Sequence, residues 1–256
     1  MIPKKIHYFW FSGDPFPENI KRCMTSWQNH LPDYEIVKWD LTNTPIEGEF
    51  AKKALAEKKW AFLSDYARLK ILHEYGGIYL DTDVLVVKSF NELLSNASFW
   101  GKDINGFVEP VVIGTVPENE LIGQCLEPYV SGALTKEEFT PIPQVIAPVF
   151  KKYGFKLNKE LESKDENLIL THHAFCPMPF EQADCEDPIR FKTEYTYAVH
   201  LWNAAWFDPF RFFWNGRSKK GWQAVWKTIR RNPFQPMAFY RNVAYHVKCT
   251  IFGYPK

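Results

Sequence analysis

The sequence predicts an α/β fold, a sheet covered by helices on both faces, followed by a helical, basic C-terminal tail. Three observations predict it. Short apolar runs alternate with longer segments of helical character through the first ninety residues or so. The central run, Ile78 to Val87, is apolar at successive positions, as in a strand buried on both faces. The composition then changes abruptly near the end: from Pro209 onwards there are ten Lys/Arg and no Asp or Glu.

Taken in order, Ile6 to Phe11 reads as a short strand ended by the turn cluster Ser12-Gly13-Asp14-Pro15. A helix is expected from about Pro17 to Asn29, a strand over Tyr34 to Trp39, and a helix from Glu49 to Lys58. A longer helix from Phe62 to Tyr75 stops at Gly76-Gly77, since glycine adopts the backbone that closes a helix. Ile78 to Val87 follows as a strand broken in character only by Asp81, Thr82 and Asp83. Ser98 to Gly101 and Phe107 to Gly114 read as further strands, and Asn119 to Tyr129 and Pro143 to Lys152 as helices. Beyond a polar stretch, Lys156 to Glu166, come strand candidates at Leu168 to Leu170 and Tyr197 to Leu201.

Charge divides the chain in the same place as composition. Lys+Arg number 31 and Asp+Glu 30, a formal net charge of +1, yet residues 1–208 carry −9 and residues 209–256 carry +10. Twelve of the aromatic residues fall in that short tail, in which Trp222, Val225, Trp226 and Ile229 form one helical stripe and Tyr240, Val243, Ala244 and Val247 another. Two parts are therefore expected, a body over 1–208 and an extension over 209–256.

With 46% hydrophobic and 24% charged residues, the body can bury a core and is not disordered. No apolar run is long enough to span a bilayer, and MIPKKIHYFWFSG has too short an apolar run and too early a Gly for a secretory signal, so a soluble or peripheral intracellular protein is expected. Cys23, Cys125, Cys176, Cys185 and Cys249 contain no paired motif and read as reduced thiols.

The chemistry concentrates in Ser64-Asp-Tyr-Ala-Arg-Leu and Gly76-Gly-Ile-Tyr-Leu-Asp-Thr-Asp-Val. Two carboxylates one residue apart in an apolar strand are costly unless something cationic compensates them. At the carboxyl end of a strand, where open α/β sheets take ligands, a divalent ion carrying a diphosphate would do so. Asp65 and Arg68, three apart on a helix, share a face and project together, either to that site or as a solvated ion pair. The alternative for Asp81 and Asp83 is a strand end capping a turn.

These blocks resemble the glycosyltransferases with the DXD sugar-nucleotide signature, which include fungal initiating mannosyltransferases, bacterial capsular polysaccharide enzymes and, more distantly, the clostridial glucosylating toxins. Ile2 to Gly13 is similar to the family's opening strand, Ser64 to Val84 to its central block, and Tyr197-Ala-Val-His-Leu-Trp-Asn-Ala-Ala-Trp to its late His and Trp block. The tail lies outside the resemblance. The resemblance implies a GT-A fold, Rossmann-like with a mixed central sheet, and Mn2+- or Mg2+-dependent transfer from a nucleotide diphosphate sugar with retention at the anomeric carbon. A uridine diphosphate donor is the first choice and guanosine diphosphate mannose the second; the acceptor is a saccharide or lipid-linked saccharide.

By matching position, the resemblance implies that Trp10 stacks on the nucleobase and that Asp65 and Arg68 contact ribose, sugar or phosphate. It makes Asp83 the direct metal ligand, Asp81 nearer the ribose and sugar, and Tyr79 a neighbour on the same face. His200 helps close the metal and diphosphate site, with a core histidine as its alternative, and Trp206 covers the diphosphate. Where the family often has Ser-Trp this chain has Ala205-Trp206, and alanine has no oxygen to offer, so an outer ligand would come from Asn203, His200 or water.

Two other classes compete. Leu80-Asp-Thr-Asp-Val-Leu-Val also resembles the first motif of haloacid-dehalogenase-like phosphotransferases, with Asp184 to Asp187 imitating a later metal motif. That motif normally opens a chain, however, and here eighty residues precede its first acid, Asp81. A non-catalytic carbohydrate-binding protein would explain the Trp and Tyr content but needs no paired acids. For the tail, two helices packed on the body compete with an anionic membrane surface, which basic and interfacial aromatic side chains favour. Nothing in the body supports nucleic acid as a partner.

Overall fold

Lys5–Phe9 (β1) and Glu35–Trp39 (β2) pair in parallel, Ile6 opposite Ile36, with the helix Glu18–His30 (α1) as the crossover between them. The computed structural model describes residues 1–134, 139–183, 185–202, 218–231 and 237–252, in two units, Met1–Asn203 and Ala204–Lys256. In the first unit, Gly48–Ala56 (α2) and Trp60–Tyr75 (α3) lead to Gly77–Leu80 (β3), and the next strand is Val84–Val86 (β4). Ser98–Lys102 (β5), Val108–Thr115 (β6), Glu120–Val130 (α4), Ile142–Tyr153 (α5), Glu162–Lys164 (β7), Asn167–Leu170 (β8), His172–Phe175 (α6) and Ala198–His200 (β9) follow.

Seven strands form one mixed sheet in the order β2-β1-β3-β6-β5-β8-β7, and β4 pairs with β9 in a separate two-stranded sheet. β1, β2 and β3 are mutually parallel, β6 is antiparallel to both β3 and β5, and β8 is parallel to β5. The carboxyl ends of β1, β2, β3, β5 and β8 thus lie along one edge, together with the first residues of β6.

Strand alternation puts Tyr79 on one face of β3 and Ile78 and Leu80 on the other. Tyr79 packs with α2, α3, α4 and α5, through residues such as Phe50, Leu69, Ile122 and Phe150. Ile78 and Leu80 pack with Trp27 of α1, Phe99 and Phe175. Trp27 is fully buried and its indole N–H donates to the carbonyl of Val84 at 2.8 Å, tying α1 to the start of β4. Truncating so large a side chain to alanine costs about 3–5 kcal/mol. α3 is buried all round, Asp65 and Arg68 included, and is the central helix of its layer.

Gly76 and Gly77 carry the chain from α3 into β3 with φ of 62° and 96°. A Cβ at Gly77 would lie 2.8 Å from both His7 Nε2 and the Lys5 carbonyl, so both conformation and space require glycine there. This two-residue reversal sets the site. Running back up the helix from Gly76 to Arg68 covers about 12 Å, and running along the strand from Gly77 to Asp81 about 13 Å, so the two side chains arrive at one height.

Three expectations are corrected. Ile78 to Val87 is not one strand: Asp81 donates its N–H to the Val111 carbonyl (2.9 Å), Val84 donates to the Asp81 carbonyl (3.1 Å), and the chain leaves the main sheet between them. The polar stretch Lys156 to Glu166 contains β7, a strand with little intrinsic preference that forms because β8 offers it a pairing edge. In the second unit Ser218–Arg231 (α7) and Met237–Phe252 (α8) are helical, but the apolar stripes are rotated from those expected. Val225 is buried among Trp222, Ile229, Phe239 and Val243, whereas Trp226 is 61% exposed and Tyr240 and Val247 also face outward. Among the described residues no helix is long and apolar enough to cross a membrane.

Candidate active site

The acids sit at the carboxyl edge of the main sheet. Asp81 follows β3 directly and Asp83 precedes β4, and the pairing of β4 with β9 sets Val84 opposite His200. Leu201 donates its N–H to the Asp83 carbonyl at 3.0 Å, locking the end of β9 to the turn. His200 Nε2 then lies 3.4 Å from Asp83 Oδ2. Asp81, Asp83 and His200 each present a ligand atom, all within 4.8 Å of one another.

Arg68 answers the charge from the helix side. It is 5% exposed, and its guanidinium reaches Asp65 Oδ1 at 2.9 Å and Asp81 Oδ1 at 3.4 Å. It also donates to the Pro110 carbonyl (2.8 Å), the Ser64 carbonyl (3.2 Å) and Ser64 Oγ (3.1 Å), and its planar fork lies over the Tyr79 ring, 4.4 Å from the centroid. The Tyr79 hydroxyl donates to Asp81 Oδ1. Asp65 and Arg68 are therefore a buried pair and not a solvated one, and Tyr79 shares the face of Asp81 as strand alternation requires.

Electrostatics describe a site short of positive charge. Burial pushes the Asp65 carboxyl up to about 6, against the pull of Arg68 and with a further push from Asp81. Asp81 rises for the same reason, burial first, with Arg68 opposing and Asp83 adding. Tyr79 stands well above its ordinary range through burial, Arg68 opposing. For Arg68 burial acts downward and is outweighed by Tyr79, Asp81 and Asp65, so it stays charged. For His200 burial likewise acts downward, and the carboxylates of Asp83, Asp81 and Glu109 outweigh it.

Two carboxylates and an imidazole fit a divalent cation of the Mg2+ to Mn2+ kind. The buried Nδ1 of His200 has no hydrogen-bond partner among the described residues, an open polar atom beside the acids. Trp10 lies just past β1 on the same edge, its indole N–H donating to the Asp14 carbonyl (2.7 Å) and its ring 4.8 Å from that of Phe16. Asn203, Ala205 and Trp206 lie outside the described residues, as does Asp184. Glu109 was not among the sequence candidates; its signal is a lone carboxylate inside Val-Glu-Pro-Val-Val-Ile. Burial pushes its carboxyl up to about 7, with His200 opposing and Asp81 and Asp103 adding.

A mixed seven-stranded sheet with helices on both faces and paired acids leaving β3 is a GT-A fold. It resembles the structure titled PaToxG Glycosyltransferase with a TM-score of 0.50 and 21% identity, over 60% of this chain and 70% of that one. Residues 17–100 match the family described as the glycosyltransferase sugar-binding region containing DXD motif. It is 26% identical over 215 residues to lactosylceramide 4-alpha-galactosyltransferase of Rattus norvegicus, covering 73% of this chain and 57% of that protein. It is 26% identical over 176 residues to alpha-1,4-N-acetylglucosaminyltransferase of Homo sapiens, covering 64% and 49%. The chain thus spans about half the length of the curated relatives it matches.

Proposed function

We propose that this chain transfers a hexose or N-acetylhexosamine from a uridine diphosphate sugar to a saccharide hydroxyl, with retention, using Mn2+ held by Asp81, Asp83 and His200. The observation that carries the reading is the grouping of those three side chains at a sheet edge against a buried Arg68. A nucleotide diphosphate supplies the anionic oxygens a divalent ion needs beyond three protein ligands. The imidazole favours Mn2+ over Mg2+. Bound there, the ion stabilises negative charge on the departing diphosphate. Arg68 adds a permanent cation on the same side, while Asp65 and Tyr79 hold it and Asp81 in place. Trp10 stacks on the nucleobase, with Trp206 and Asn203 closing the diphosphate side.

Retention is supported by product chemistry: uridine diphosphate hexoses are α-linked, and both relatives are named for forming α linkages. The first relative's name contains a saccharide on a lipid, which supports a lipid-linked acceptor here. Residues 1–208 form the catalytic part, and the extension over 209–256 holds it against an anionic membrane on the cytoplasmic side, where surface polysaccharide synthesis would find lipid-linked acceptors. The match of residues 17–100 to a glycosyltransferase family model supports sugar transfer over the phosphotransferase and binding-module readings.

The test is a screen of uridine diphosphate galactose, glucose, N-acetylglucosamine and guanosine diphosphate mannose for Mn2+-dependent hydrolysis and transfer. One uridine donor should be consumed by the wild type and none by a folded Asp83→Ala variant. Equal turnover by that variant would remove the metal from the reading, and consumption of no donor would end it.

A further inference from the structure

The charged edge of the sheet continues past the acids that face Arg68. Because β6 runs opposite to β3, its first residues lie beside the last of β3. Asp81 is hydrogen-bonded to the Val111 carbonyl and Arg68 to that of Pro110. Glu109 is the next residue back. Its pairing with β5 is irregular: the register passes from Trp100 opposite Ile113 directly to Gly101 opposite Glu109. Pro110, which has no N–H to give a ladder, sits within that irregularity. A bulge of this kind bends the strand and redirects its side chains.

Opposite Glu109, Gly101 has no side chain, and a Cβ there would meet the Phe175 ring at 2.5 Å. Glu109 lies within the electrostatic reach of Asp81, His200, Asp103 and Cys176. Among the described residues its carboxyl group has no hydrogen bond and no ion pair. It is also not part of the grouping that can hold an ion. Its chemistry selects its ligand: a carboxylate repels a diphosphate and attracts a neutral hydroxyl. The proposed donor contacts come from β1, α3 and β3, whereas Glu109 pairs with Gly101 of β5, beside Phe175 of α6, the side left for the second substrate.

We infer that Glu109 is the acceptor-orienting residue of the site, its carboxylate accepting a hydrogen bond from the saccharide hydroxyl that attacks the donor's anomeric carbon. This rests on the sugar-transfer reading. It makes the acceptor's reacting hydroxyl, rather than the donor, the group that Glu109 recognises.

The experiment compares wild type, Glu109→Gln and Glu109→Asp with Mn2+, a labelled uridine diphosphate hexose and lactosylceramide in detergent micelles as the probe acceptor. Free sugar from hydrolysis and sugar transferred to the probe are counted in the same reaction. Exchanging the charged acceptor for a neutral amide oxygen should lower the ratio of transfer to hydrolysis by about tenfold in Glu109→Gln. The acceptor KM should rise, the affinity for uridine diphosphate with Mn2+ should stay at the wild-type value, and Glu109→Asp should recover part of the ratio. An unchanged ratio, or a parallel loss of Mn2+ affinity, overturns the assignment. A wild type with neither hydrolysis nor transfer instead removes the sugar-transfer reading on which the assignment rests.

Discussion

Replacing Arg68 by methionine tests the organisation of the site without reference to substrate. The guanidinium is 5% exposed and is the only cation within ion-pair distance of both Asp65 and Asp81 among the described residues. Methionine keeps much of the volume and removes the charge. Two carboxylates, one 7% exposed and one half-buried, then lose their partner, and the Pro110 carbonyl and Ser64 Oγ lose a donor. Removing one partner from a buried pair costs about 3–5 kcal/mol. Urea denaturation with an unchanged slope should read that loss as a lower midpoint. Arg68→Lys, which keeps the charge but not the planar fork, should fall between wild type and methionine. Adding Asp65→Asn to Arg68→Met should recover about 1–2 kcal/mol, because one stranded charge is gone. A loss below about 1 kcal/mol for Arg68→Met would mean the pair behaves like a solvated one, and would refute the argument.

Other outcomes follow from the same structure. His7 is 2% exposed, with Nε2–H donating to the Gly76 carbonyl at 3.0 Å and Trp39 Nε1–H donating to Nδ1 at 3.1 Å, an arrangement that uses the neutral ring. Burial lowers its pKa from 6.5 to about 4. The unfolded chain therefore takes up a proton first, so the stability is full above pH 6.5 and about 3 kcal/mol is lost as pH falls toward 4. Denaturation across that range should show the fall, and His7→Gln should flatten it; a wild type equally stable at both ends would contradict this. Gly77→Ala must adopt a φ of 96° and meet two atoms at 2.8 Å, and should lose about 2–5 kcal/mol in thermal denaturation. Asp81→Asn should weaken Mn2+ binding measured by calorimetry at least about tenfold, through loss of a charged ligand. For the tail, sedimentation with phosphatidylserine vesicles should show binding that weakens by about tenfold or more on raising salt, as screened contacts worth about 1 kcal/mol per Lys/Arg require. Equal binding to uncharged vesicles would exclude an electrostatic surface.

What could be read from the sequence divides along a physical line. Local signals gave α1, β2, α3 and the Gly76-Gly77 stop, because apolar periodicity and glycine conformation act within a few residues. The cost of burying Asp81 and Asp83 demanded a cation, and Arg68 meets that demand from a helix whose height above the reversal is simple arithmetic. Pairings between distant segments had no such signal. β7 forms only because β8 is there, and Asp83 meets His200 only because β4 leaves the main sheet to pair with β9. His200 entered the candidate set through the family resemblance, not through spacing. In α8 Val243 has apolar neighbours on both sides, and periodicity alone could not choose Phe239 over Tyr240 and Val247 as its buried companion.

Glu109 marks the limit most clearly. Within its own strand it is a single acid among apolar residues, with no repeat or neighbouring motif to raise it above a solvated side chain. Only the antiparallel pairing of β6 with β3, and the irregularity that Pro110 and Gly101 permit, bring it to the edge that Asp81 occupies. Folding alone would favour an apolar side chain there, and likewise at Asp65, since a well-packed hydrophobic replacement is often neutral or stabilising relative to buried charge. Four carboxylates, Asp65, Asp81, Asp83 and Glu109, nevertheless gather around one arginine and one histidine. That excess of negative charge is unfavourable in the protein alone, and a divalent ion bound among them would compensate it. The groups that most oppose packing are therefore the ones by which the site can be recognised.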